Sequence, residues 1–401
     1  MAGPCMIRVT GPLAAYAEGF AGELSRLGYT SRTTRDHLYV FAQLSRWLAN
    51  GDLPALALTP AVLERYLSAR RRRGCRRWRS ARSLQPMLDH LRRVHAIPVE
   101  GTATDSPVES VLAGYHRYLT LERRLAPAGV GYRTQAARRF LSMQADDGEL
   151  RLDRLAAAEA TRFVLAESHR YRPASMKAVT TALRCLLRFL FVTGVVDRDL
   201  SAAVPAVASH RMTGLPRGVD VTTVAALLAS CDRTMPVGRR DFAILTLLVR
   251  LGLRAGEVAG LQLDDVDWRA AEVVIRGKGN RIDRMPLPRD VGEALVDYLR
   301  NGRRHSDCRA LFLRACAPVG AMTAHSVGAV SRTASVRAGL PVIGAHRLRH
   351  TVATESLRRG ASLAEIAQLL RHHAEATAAI YATVDRAALD LVVRPWPGAG
   401  R

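Results

Sequence analysis

Apolar residues in the first half of the chain recur every three to four positions, a period that commits these segments to helices packed face to face. Tyr16, Phe20, Leu24 and Leu27 form one such row, and Leu38, Phe41, Leu44 and Leu48 a second. Residues so spaced share one side of an α-helix, and that side must be covered by another element. The pattern returns in Leu112, Tyr115, Tyr118 and Leu119, then in Phe140 and Leu141, then in Leu183, Leu186, Leu187, Phe189 and Leu190. Two stretches of small and helix-breaking residues interrupt it: Gly101 to Pro107, and Ala202 to Gly218 with Pro205, Gly214, Pro216 and Gly218. The division that follows is a helical N-terminal extension in residues 1–100, a second helical domain in 107–203, and a third domain in 219–401.

The third domain changes character. The pattern predicts an apolar helix over Asp241 to Leu253. A strand at Val273 to Ile275, a turn at Gly277, Lys278, Gly279 and Asn280, and a second strand near Arg284 to Leu287 come next. Helices return at Gly292 to Arg300, Ala324 to Ala338, His346 to Arg359, Ser362 to Leu370 and Ala374 to Thr383. Ser362 with Glu365 three positions on is a capping-box pair, and Gly360 closes the helix before it. The fold class expected is mainly α with a small β-sheet in the last domain, an α+β arrangement preceded by all-helical domains.

Charge narrows the partners. The 401 residues hold 59 Lys and Arg against 36 Asp and Glu, a net +23 that favours polyanions. Eight arginines (Arg70, Arg71, Arg72, Arg73, Arg76, Arg77, Arg79 and Arg82) crowd around Trp78 with no acid among them, which reads as a DNA-binding run that contacts phosphates rather than bases. The six cysteines are scattered, with no CxxC pair and no histidine at zinc-finger spacing, so neither disulfides nor a structural metal is expected. No stretch reaches the roughly 18 uninterrupted apolar residues of a membrane span. A cytoplasmic protein without a membrane partner is the expectation.

Lysine is the most informative letter. The chain has only two, Lys177 and Lys278, in a background that uses arginine almost everywhere. A guanidinium keeps its proton, whereas an ammonium can release one, so of the two only lysine can serve as a general acid. At the tip of a hairpin, Lys278 could reach into a cleft. In the run from His346 to Thr351, His346 and Arg349 are three residues apart and share a helix face. Arg349 could offer two parallel donors to an anion and His346 could move a proton. Arg254, with Glu257 three residues on, lies just after the apolar helix. At that spacing the two would ordinarily form a surface ion pair. His372 and, nine residues later, Tyr381 complete an ordered set.

That set, Arg254 in LGLRAGEVAGL, Lys278 in GKGNRIDRMPLP, then HRLRHT, LLRHH and IY, resembles the tyrosine recombinases, the integrases of phages and mobile elements and their chromosomal relatives. The resemblance covers residues 219–390 in detail. It implies that Arg254 and Arg349 clamp a DNA phosphate, that Lys278 is the hairpin lysine, that His346 and His372 are the two histidines and that Tyr381 is the nucleophile. It further implies double-stranded DNA as partner, a homotetramer on DNA, accessory recombinases or DNA-bending proteins as helpers, and no cofactor. Residues 107–203 would be the core-binding domain. The apolar tail of Leu389, Leu391, Val392 and Val393 would dock on a neighbouring subunit. One departure stands out. The family places Gly before the second histidine, and this chain places Arg371 there.

The function expected is site-specific recombination through a 3′-phosphotyrosyl intermediate. Two alternatives stand beside it: a type IB topoisomerase-like DNA-relaxing enzyme, which shares the chemistry, and a catalytically silent DNA-binding regulator, which shares the fold. A metal-dependent transposase would need three converging carboxylates, which the sequence does not offer.

Overall fold

The computed structural model describes residues 7–98, 106–146, 149–207, 218–277 and 281–371. The chain separates into two compact units, one made of Met1–Ile97 with Gly214–Arg401 and the other of Pro98–Thr213.

The first stretch of the larger unit folds as four helices: α1 (Ala17–Arg26), α2 (Ser31–Ala49), α3 (Pro60–Arg72) and α4 (Gln85–Arg93). Their starts are written in the sequence. Thr30 and Thr59 accept from the N–H groups of Thr33 and Val62, and Pro60 occupies the first turn of α3, where a missing N–H costs nothing. The expected apolar rows do meet, since Phe20, Leu24, Leu38, Phe41, Leu44 and Leu48 are all buried in one core. This helical stretch contacts the rest of its unit where the Val319 N–H donates to the Leu27 carbonyl at 2.8 Å.

The smaller unit holds α5 (Pro107–Arg117), α6 (Pro127–Ser142), α7 (Ala157–Ser168) and α8 (Pro173–Val192) around a core that includes Leu112, Tyr115, Phe140, Leu186 and Leu190. Between α6 and α7 a minimal hairpin, β1 (Ala145–Asp146) paired antiparallel with β2 (Glu149–Leu150), adds a β element where only helices were expected. Two-residue strands carry no apolar alternation, so periodicity could not reveal them.

In the remainder of the larger unit, α9 (Val221–Ala229) leads to α10 (Pro236–Arg250). Helix α10 is apolar on nearly every side, and Ala243, Ile244, Leu245, Leu247 and Leu248 are fully buried. A helix hydrophobic all round must be central. After it come α11 (Ala255–Gly260), the strands β3 (Val266–Asp267), β4 (Glu272–Arg276) and β5 (Ile282–Pro286), and the helices α12 (Arg289–Asn301), α13 (Ala324–Arg337), α14 (Ala345–Arg358) and α15 (Leu363–Leu369). Helices α12, α13 and α14 all pack on α10. The strands form one antiparallel sheet in the order β3, β4, β5, with Val273 opposite Met285 and Arg276 opposite Ile282. The hairpin expected from sequence is therefore present, extended by a short third strand. Ser362 and Glu365 cap α15 reciprocally, with the Glu365 N–H donating to the Ser362 hydroxyl at 3.2 Å and the Ser362 N–H to the Glu365 carboxylate at 2.7 Å. Gly360 ends α14 at φ +90°. The result is a mainly helical protein with small antiparallel sheets.

Helix α10 stops three residues short of the expected Leu253, because the chain turns at Gly252 with φ +58°. A Cβ there would lie 2.8 Å from Leu370 Cδ2. Gly252→Ala should therefore lower stability by about 1–2 kcal/mol from the left-handed backbone alone. The Leu370 contact adds to that cost. A urea midpoint equal to that of the wild type would show that this turn is not held as described.

Candidate active site

The turn at Gly252 throws the chain off the end of α10 and sets Arg254 immediately before α11. The first turn of α11 points Glu257 back: the Arg254 backbone N–H donates to Glu257 Oε2 at 2.9 Å, and Arg254 Nη1 meets Oε1 at 2.6 Å. This is not the surface ion pair that the spacing suggested. The Glu257 side chain is 3% exposed, while the Arg254 side chain, at 38%, keeps a solvent-facing edge.

Two more guanidinium groups close on the same carboxylate. Arg371 Nη2 donates to Glu257 Oε2 at 2.8 Å, and Arg349 Nη1 stands 4.0 Å from that oxygen. Arg349, from α14, is almost wholly buried beside Leu348. It donates through Nη1 to the Gly252 carbonyl at 2.6 Å and through Nη2 to the Leu370 carbonyl. The two Nη atoms of Arg349, which sequence reasoning aimed at an anion, thus both donate to backbone carbonyls. Arg254 Nη2 reaches the Arg371 carbonyl at 3.5 Å. Among the described residues, three guanidinium charges against one carboxylate leave a local excess of two positive charges, and of the three Arg254 is the most exposed. Such a cluster seeks an anion, and planar guanidinium forks match phosphate oxygens.

Burial raises the Glu257 carboxyl pKa, but the Arg371 charge and then the N–H and guanidinium of Arg254 more than offset it, so the group sits below its ordinary value and stays ionised. His346 lies on α14 with an exposed edge. Desolvation by the protein around its ring lowers its pKa, and the charges of Arg349 and Arg254 push the same way. It is therefore a neutral imidazole near pH 7, able to accept a proton. His350, one turn on, packs edge to face against it with centroids 4.3 Å apart. Desolvation, then His346 and Arg349, lower the His350 pKa to about 4.

Of the six residues singled out in the sequence, the structure brings Arg254, His346 and Arg349 into one neighbourhood. Lys278, His372 and Tyr381 lie outside the described residues; β4 precedes Lys278 in the chain and β5 follows it, and Arg371 directly precedes His372. Sequence reasoning missed Glu257 as the organising carboxylate, His350 as the partner of His346, and Arg371 as a charge in the cluster. The signals were the RAGE spacing, the i, i+4 histidine pair and the displaced glycine.

The basic run is less free than it looked. Arg72 ends α3, and the chain then turns at Gly74 and Trp78, both with positive φ. Acids from elsewhere in this helical stretch partly neutralise the run: Arg71 pairs with Glu64 and Arg77 with Asp36, while Arg70 bonds Gln43 and Tyr66. Arg72, Arg73, Arg76, Arg79 and Arg82 remain exposed. Among the described residues no group of His, Cys, Asp and Glu could hold a metal ion, and no helix is long and apolar enough to cross a membrane.

Comparison with known proteins adds ancestry to this geometry. Residues 219–387 match the phage integrase family. The putative integrase/recombinase y4rA of Sinorhizobium fredii is 39% identical over 393 residues, which are 97% of this chain and 95% of that one. Tyrosine recombinase XerD of Mycobacterium tuberculosis is 33% identical over 308 residues, 72% of this chain and 96% of its own. A solved lambda integrase dimer bound to a core site has a TM-score of 0.53 at 15% identity, over 68% of this chain and 94% of that chain. The site-specific recombinase XerH bound to its palindromic substrate also gives 0.53, at 18% identity, over 70% and 83%. At those identities the structural likeness is one of fold.

Sequence relatives and fold together define the class: tyrosine site-specific recombinases, enzymes that break and rejoin DNA strands. Within that class the chain belongs to the phage integrase family.

The histidines give the site a pH signature. A ring whose folded pKa is depressed is protonated first in the unfolded chain, so stability is full above the ordinary value of 6.5 and falls as pH drops toward about 4. His37, buried in the N-terminal helices and also lowered to about 4, acts in the same direction. Urea midpoints should decline between pH 6.5 and 4.5, and His350→Gln should flatten part of that decline. An unchanged slope in the variant would remove His350 from the account.

Proposed function

We propose that this recombinase cuts and rejoins double-stranded DNA through a 3′-phosphotyrosyl intermediate, with Tyr381 as nucleophile. The observation that carries the reading is the buried cluster of Arg254, Arg349 and Arg371 on Glu257, with its excess positive charge, a neutral His346 beside it, and the chain running directly from Arg371 into His372 and on to Tyr381.

In this reading a scissile phosphate enters at the open edge of Arg254, and Arg349 gives up backbone carbonyls to share it. Guanidinium groups already in place neutralise the charge that develops on the phosphorane without reorganisation at the moment of reaction. The Tyr381 oxygen bonds to phosphorus as its proton leaves, with His346 as the neutral acceptor nearest the arginines. The bond from phosphorus to the 5′-oxygen breaks, and Lys278 protonates the departing oxygen. The phosphotyrosyl ester keeps the free energy of the broken linkage, so a second 5′-hydroxyl can attack and restore the strand without a nucleotide cofactor. His372 completes the set of donors around the phosphate.

The exposed arginines from Arg72 to Arg82 supply sequence-independent contact with the DNA backbone. Beside them Gln43, Arg46, Trp47, Asn50, Tyr66, Arg70, Arg73 and Cys75 line a cavity of about 320 Å³ with no acidic wall. Residues 107–203 serve as the core-binding domain, and the apolar tail around Leu389 to Val393 links subunits into a tetramer on DNA, assisted by accessory recombinases or DNA-bending proteins.

Tyr381→Phe should abolish the SDS-resistant protein–DNA adduct and leave DNA affinity within about threefold, since one hydroxyl is a small part of a large basic interface. An adduct formed by the Phe variant would refute the assignment.

Lys278→Arg should be severely slowed despite keeping its charge. A substrate whose bridging 5′-oxygen is replaced by sulfur, which departs without a proton, should restore cleavage. Cleavage that stays slow on the sulfur substrate would take the general-acid role away from Lys278.

A further inference from the structure

Position 371 combines two features that rarely coexist. Its backbone is left-handed, φ +54°, a conformation that favours glycine, yet it carries a long charged side chain that is 7% exposed. That side chain spans three segments. Nη2 pairs with Glu257 on α11 at 2.8 Å, while Nη1 contacts the Met285 sulfur on β5 and donates to the Leu369 carbonyl at 3.0 Å. The backbone takes part as well, because the Arg371 carbonyl accepts from Arg254 Nη2. One residue thus joins the segment that bears Arg254, the strand β5 and the end of α15.

The charges say what this junction does. Glu257 has two oxygens: Oε1 takes Arg254 Nη1, and Oε2 is shared by the Arg254 N–H and Arg371, with Arg349 Nη1 at 4.0 Å. If Arg371 is removed, a buried carboxylate loses one of the two guanidinium groups hydrogen-bonded to it, and its remaining attraction falls on Arg254 and Arg349. The excess of two positive charges drops to one. A guanidinium drawn onto Glu257 is withdrawn from a phosphate.

We infer that Arg371 is a positioning residue for strand cleavage, which occupies Glu257 so that Arg349 and the open edge of Arg254 remain available to the scissile phosphate. The inference rests on the phosphotyrosyl reading above. The Arg371 Nη atoms are taken up by Glu257, the Met285 sulfur and the Leu369 carbonyl. It acts through Glu257 and through its own carbonyl.

The test uses the full chain and a double-stranded oligonucleotide that it selects from a randomised library, nicked beside the cleavage position so that the covalent adduct accumulates. Single-turnover cleavage at saturating protein is measured separately from the dissociation constant. Arg371→Gly, which suits the left-handed backbone but deletes the charge, should slow cleavage about 10- to 100-fold, the scale of a misplaced reacting group, with affinity changed less than threefold. Arg371→Lys should recover most of the rate by restoring a cation opposite Glu257, and Arg371→Gln, of similar length but neutral, should stay slow. Equal rates for the Lys and Gln variants, or a Gly variant as fast as the wild type, would overturn the inference. The Lys and Gln comparison stands even if the Gly variant does not fold. A wild-type chain that forms no adduct would instead refute the phosphotyrosyl reading, and the inference with it.

Discussion

The carboxylate of Glu257 sits out of water with guanidinium groups from three separate parts of the chain, and the arrangement of the site follows from that enclosure. Arg254 arrives from the end of α10, Arg349 from α14 and Arg371 from the end of α15. Apolar packing alone would hold α14 against α10 and α15 against α14, but it would not determine where their polar ends point. The shared carboxylate does. Its cost is large, because a buried ion loses its hydration, and it is offset only while the partners stay in place. Removing one side of such a network typically costs about 3–5 kcal/mol, since the other side is left buried and uncompensated.

The backbone is drawn into the same network. Arg349 donates to the carbonyls of Gly252 and Leu370, tying the turn after α10 to the end of α15. Gly252 makes the approach feasible: its left-handed turn and missing side chain let Leu370 pack directly over it. The hydrophobic core and the charged cluster therefore meet at a single seam, where the apolar floor is Leu370 and Val352 and the polar roof is Glu257 with its arginines. Positive charge gathered at this seam, with the open edge of Arg254 toward solvent, suits an anion.

Much of this was legible in the sequence, and the parts that were not share a cause. Helices with apolar rows, the capping box at Ser362 and the hairpin of β4 and β5 are local patterns, and local patterns survive into the fold. Arg254 and Glu257 show the limit. Their spacing correctly indicates a contact, but spacing carries no information on depth, so a buried organising pair was indistinguishable from a surface one. Arg371 was visible only as a missing glycine, because its meaning depends on Glu257, 114 residues earlier. The basic run likewise contains no acid, while Glu64 meets it from two turns earlier on α3 and Asp36 from α2. The two-residue strands β1 and β2 and the short β3 are set by pairing rather than by their own residues.

Cleavage through Tyr381 leaves one covalent bond between protein and DNA, and mass spectrometry of the trapped adduct reads it directly. After protease and nuclease digestion, the account predicts a nucleotide linked through its 3′-phosphate to the peptide containing Tyr381, together with a free 5′-hydroxyl on the opposing DNA end. A nucleotide attached to any other residue, or joined through a 5′-phosphate, would contradict it.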